Sequence, residues 1–178
     1  MLVKLLLNQS TKSNGAILIK WLVLGGLSSL AASIASSSAY SQQSLPGQLE
    51  ARKYIGIINY AQAKYYQTNH NFAYQLGQLN TGIPAQTNYY SYSISSSKSP
   101  LVTEQAIPLG NRHDLKAVIG GVAVFTNAVG NETLITKRCL ATLPPAQGGP
   151  KGVENMVLSY PAAALSCPNG YQELKGAQ

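Results

Sequence analysis

The stretch that most constrains the fold runs Gln48-Leu49-Glu50-Ala51-Arg52-Lys53-Tyr54-Ile55-Gly56-Ile57-Ile58-Asn59-Tyr60-Ala61-Gln62-Ala63-Lys64-Tyr65-Tyr66. At helical spacing Ala51, Tyr54, Ile55, Ile58, Ala61 and Tyr65 share one face, whereas Arg52, Lys53, Asn59 and Lys64 mostly fall off it. That is the i, i+3, i+4, i+7 stripe of a helix lying on a core. Strict alternation fits poorly, because Ile57 and Ile58 are adjacent. Gly56 within the stripe costs about 1 kcal/mol relative to alanine, so packing must hold the helix, and a glycine there lets another backbone come close.

Beyond the helix, Asn69-His70-Asn71-Phe72-Ala73 is a polar loop ending in Phe-Ala. Together these residues read Glu50-Ala51-Arg52, Tyr54-Ile55-Gly56, Ile58-Asn59, Ala61-Gln62, Tyr65-Tyr66, then Asn69 and Phe72-Ala73. In that order and spacing they resemble the bacterial type IV pilin-like proteins of the G and H type, over the C-terminal half of the long pilin helix and its exit. The resemblance implies a long N-terminal helix against a four-stranded sheet. It also implies partners among other pilin or secretion-machine subunits, and no catalytic role.

The first 44 residues are expected to be a leader, a hydrophobic export or anchor segment and a Ser-rich linker, with the globular domain at 45–178. Lys4, Lys12 and Lys20 form a basic start, and Trp21 to Ala35 is an apolar stretch diluted by glycine and serine. Ser37-Ser38-Ala39 offers small residues before Tyr40, as a signal peptidase requires. Ala16 to Ala35 also approaches the ~20 residues that span a bilayer. The resemblance implies a third arrangement, with prepilin-type cleavage between Gly15 and Ala16, which aligns with Glu50 without a gap. It further implies a large apolar residue first and a glutamate fifth after that cut, whereas this chain has Ala16 and Lys20. A lysine cannot accept a neighbouring subunit's amino-terminal hydrogen bond and repels that amine, so assembly into a fibre core is disfavoured. The expected location is the cell envelope: anchored in the inner membrane facing the periplasm, or exported to the periplasm or cell surface. Ser44 is expected to cap the helix, with Pro46 in its first turn.

After the helix, Leu76 and Leu79 are expected to fold back on it, and Thr81-Gly82-Ile83-Pro84 breaks the chain. Tyr90, Tyr92 and Ile94 alternate with serines, which predicts a strand with one buried face. Leu101 to Leu109 predicts a second strand, placed at an edge by Pro108. Ala117 to Phe125 predicts a third, kinked at Gly120-Gly121, and Thr133 to Leu140 a fourth. Helix first, then consecutive strands, gives an α+β layer pair with an antiparallel sheet. The Pro- and Gly-rich tail from Ala141 is expected to be mostly loop. An even pair of cysteines in an exported chain suggests a Cys139–Cys167 disulfide, with two buried thiols as the alternative.

Catalytic and cofactor chemistry find little support. His70 and His113 are the two histidines, and no nucleophile elbow surrounds any serine. No paired Cys or His spacing suits a metal, and Gly120-Gly121 lacks the residues of a phosphate cradle. Neither a cofactor nor a small-molecule substrate is expected. Of 13 basic residues three lie in the first twenty, and the other ten are scattered against six acids, so nucleic acid is not an expected partner. Tyr54, Tyr60, Tyr65, Tyr66, Tyr89, Tyr90 and Tyr92 are candidates either for a binding face or for the helix–sheet core. The remaining alternative is a soluble binding module that keeps a pilin-like head without assembling into fibres.

Overall fold

The computed structural model describes residues 45–95, 100–160 and 164–175. The proposed leader, the cleavage positions Gly15–Ala16 and Ala39–Tyr40, Lys20 and Ser44 lie outside the described residues. Among the described residues no helix is long and apolar enough to cross a membrane.

Helix α1 spans Pro46–Asn69. Pro46 occupies the first turn, where its missing N–H costs nothing. The cap differs from the expectation: it is Leu45, whose carbonyl accepts from the Gln48 and Leu49 amides with no side-chain cap. The helix stops at His70, which turns left-handed at φ 52° and donates its N–H to the Tyr66 carbonyl. A single 3-10 turn, Leu76–Leu79, then brings Leu79 into the core beside the half-buried Leu76.

Five strands form one antiparallel sheet in the order β1-β2-β3-β4-β7. They are β1 Tyr90–Ser95, β2 Leu101–Pro108, β3 Val118–Thr126, β4 Glu132–Ala141 and β7 Tyr171–Glu173. The α+β architecture is as expected, with one strand more than four. That strand comes from the tail, which is otherwise mostly loop, as expected. It also supplies the hairpin β5 Val157–Ser159 with β6 Ala164–Ser166. Strand β2 is not an edge. It lies between β1 and β3, and Pro108 is tolerated because it is the last residue of the strand, opposite Tyr90.

Both faces of the sheet are covered. On one, Ala51, Ile55 and Ile58 of α1 pack on Tyr90, Tyr92, Ala106, Val118 and Leu140. On the other, Met156, Leu165 and Tyr171 of the tail pack on Leu101, Ile119, Ala123, Cys139 and Ala141. The disulfide Cys139–Cys167 fastens the tail to β4, with Cα atoms 5.8 Å apart. Strand β3 pairs in unbroken register through Gly120 and Gly121, so the glycine pair is no kink. The two glycines serve opposite faces. A Cβ on Gly120 would meet Asn59 Oδ1 and stand 2.7 Å from Ile55 Cγ2, and one on Gly121 would stand 2.7 Å from Met156 Cγ. The sheet is thinned there so that the helix and the tail can both approach its backbone.

Candidate functional site: the seam between helix and sheet

The residues of the sequence pattern converge on one seam. Asn59, placed off the helix stripe by its polarity, is buried at 4% exposure. Its amide donates to the carbonyls of Lys137 at 2.9 Å and Gly121 at 3.4 Å, over the gap that Gly120 leaves. Burial of an amide is tolerable when it is bonded in this way. Gln62 closes the loop after the helix: its Nε2 donates to the Ala73 carbonyl at 2.8 Å, and its Oε1 accepts the Ala73 amide at 3.0 Å. Glu50 accepts from the hydroxyls of Thr87 at 2.7 Å and Tyr92 at 2.9 Å, tying the start of α1 to β1.

The remaining pattern residues act by shape. Ala51 and Ala73 are buried, and Ala61 packs at their margin. The Tyr54 ring leans on Tyr92 with centroids 5.4 Å apart. Tyr66, not Tyr65, is the buried member of the tyrosine pair. It lies 4.7 Å from Phe72, and its hydroxyl donates to Glu132. The half-buried Tyr65 accepts from Gln78, and Asn69 donates to the Tyr65 carbonyl at 2.8 Å. Gly56 admits a side chain rather than a backbone: the Arg138 guanidinium lies 3.0 Å from where its Cβ would be.

Charge on the seam is controlled by burial. Burial, followed by the nearby Asp114 and Glu50 charges, holds the Tyr90 phenol well above its ordinary value. Burial and the hydrogen bond to Glu50 do the same for Tyr92. Both remain hydroxyl donors, Tyr90 to the Lys116 carbonyl at 2.9 Å. On the opposite face burial raises the Glu154 carboxyl. That is outweighed by donation from Tyr171 Oη at 2.6 Å and from the Gly152 and Lys151 amides, so its pKa is lowered.

Sequence reasoning passed over Glu104. It is fully buried on β2, and among the described residues no side chain hydrogen-bonds either carboxylate oxygen. A signal was available, because Glu104 shares strand parity with Val102 and Ala106, which marks it as inward-facing.

The outer face of α1 carries exposed Leu49, Ile57 and Tyr60. Ile57, Tyr60, Lys64, Tyr65 and Asn69 line an open groove of about 460 Å³ against Asn80, with the Lys64 ammonium 5.8 Å from the centroid of the Tyr60 ring. The two histidines do not meet. His70 Nδ1 stands 3.9 Å from Glu132 on the surface, and His113 and Asp114 are exposed in a separate turn. Among the described residues no three His, Cys, Asp or Glu side chains stand together as metal ligands.

A family model described as type IV pilin-like G and H matches residues 48–168. Neither a curated protein nor a solved structure matches the chain.

Proposed function

The chain belongs to the type IV pilin-like G and H family, and from that premise we propose that it is a non-enzymatic minor pilin or pseudopilin subunit of a type IV pilus or type II secretion machine. One observation carries this: the pattern residues hold α1 against the sheet and its flanking loop, through Glu50, Asn59, Gln62 and the tyrosines. They build the head and leave the exposed side of α1 for neighbours. Leader cleavage falls between Gly15 and Ala16, residues 16–35 hold the subunit in the inner membrane, and the head faces the periplasm. Lys20, where the family has glutamate, restricts the subunit to a tip or a rare position, where few neighbouring helices bury the charge.

The same lysine and the polar run at 36–44 favour a second reading, a soluble exported module with a pilin-like head. Mass spectrometry of the native amino terminus separates the two. An N-terminus at Ala16 supports the assembled subunit, and one at Tyr40 supports the released module. Quantification in sheared pili supplies the second test, because recovery as the most abundant pilus subunit would refute the minor role.

A further inference from the structure

Glu104 stands in the middle of the seam. Its neighbours in the sheet are Ile94 on β1 and Gly120 on β3, and its strand parity points it at the helix. Above Gly120 lie Ile55 and Asn59, and Asn59 Oδ1 is itself buried without a partner among the described residues. Two acceptor-bearing side chains therefore share one buried interface, and one of them is ionisable. The titratable and charged groups on α1 are Glu50, Arg52, Lys53, Tyr54, Tyr60, Lys64, Tyr65 and Tyr66, and those at helix-facing positions of the neighbouring strands are Tyr90 and Tyr92 on β1 and Glu132 and Arg138 on β4. The helix-facing positions of β3 (Val118, Gly120 and Val122) carry no such group. Among the described residues none of these forms a hydrogen bond or an ion pair with Glu104. An uncompensated carboxylate in such a place is too costly to persist.

We propose that Glu104 is a proton-held latch: the closed head carries it as a neutral acid, and loss of that proton parts α1 from the sheet. Burial, opposed only by its own backbone amide, pushes the Glu104 carboxyl up to about 8, against an ordinary value of 4.5. The sign follows from linkage. Between these values the closed head binds a proton that the open chain has released, so stability falls as pH rises through the window and levels off above it. Below the ordinary value both forms are protonated and the latch has no effect. The head is thus most secure in mildly acidic surroundings and loosens as they turn alkaline.

Urea unfolding of the full chain at a series of pH values tests the proposal. With Glu104 as the latch, the unfolding constant rises roughly tenfold per pH unit between about 5 and 8. Glu104→Gln and Glu104→Met remove that rise. An equal rise in either folded variant overturns the assignment, as does a flat wild-type profile. Infrared spectroscopy of the wild type keeps the proposal falsifiable if neither variant folds. The sequence has six Asp and Glu residues. At pH 6.5 the latch predicts a neutral carboxylic-acid carbonyl band that disappears by pH 9.5. Absence of that band at pH 6.5 refutes the proposal.

Discussion

Gly120→Ala is the smallest change that separates helix from sheet. The new Cβ would overlap Asn59 Oδ1 and stand 2.7 Å from Ile55 Cγ2. Neither can retreat, since Asn59 is held by two sheet carbonyls and Ile55 is fully buried. Overpacking of this kind costs about 1–3 kcal/mol. If Asn59 is displaced, the Lys137 and Gly121 carbonyls lose their donor, and an orphaned buried group adds about 1–3 kcal/mol. The expected total is ~2–6 kcal/mol, a large part of the ~5–15 kcal/mol that holds a domain together. Circular-dichroism melts should show a fall in Tm of roughly 10 °C or more for a domain of this size. Gly77→Ala, with open space around its Cβ, is the control and should stay within about 0.5 kcal/mol of wild type. Gly121→Ala should fall between the two, because the flexible Met156 side chain can give way. Adding Asn59→Ala to Gly120→Ala should cost less than the sum of the single changes. A Gly120→Ala melt within a degree or two of wild type would refute the close approach of helix to sheet.

Replacing Cys139 with serine opens a link spanning 28 positions and should cost ~3–4 kcal/mol, measured by urea unfolding. Two free thiols in protein recovered from the cell envelope would show that the bridge does not form there. Ile58→Asp, at a fully buried position on the helix stripe, should unfold the head, whereas the exposed Lys53→Ala should leave the melt unchanged. Tyr171→Phe removes the 2.6 Å bond to Glu154 and should cost about 1 kcal/mol at pH 7, allowing for partial solvent exposure. Because the Glu154 pKa is lowered, the stability it contributes is present above the ordinary carboxylate range and is lost as pH falls through its folded value. The wild type and Tyr171→Phe should therefore converge in acid, and an equal gap at every pH would contradict this role for Glu154.

What the sequence revealed tracks the length and regularity of each element. Helix α1 and strands β1 to β4 run long enough for a period to show, so Ile55, Ile58, Tyr90 and Tyr92 were legible as core. The three-residue strands of the tail carry no period: β7 is placed by pairing with β4, and β5 and β6 by pairing with each other. Asn59 was misplaced because its polarity was read without its partners, two carbonyls 62 and 78 residues away along the chain. Gly120-Gly121 suggested a kink for a similar reason, since what a glycine accommodates depends on the groups above and below it. Pro108 was read as an edge marker, yet a strand's last residue tolerates proline in a central strand as well. Glu104 went unweighed because a lone carboxylate in a β-run looks like a solvated position, although Val102 and Ala106 share its parity and are buried.

Covering the sheet on both faces imposes an order of assembly on a chain made from its amino terminus. Once residue 141 has emerged, α1 and β1 to β4 are all present and the helix side can close. The other side cannot, because Met156, Leu165 and Tyr171 are still to come. For that interval Leu101, Ile119, Ala123 and Ala141 form a bare apolar sheet, with Cys139 on it as an unpaired thiol. A chain stopped near residue 142 would keep that surface, and the sheet-to-sheet association it invites, indefinitely.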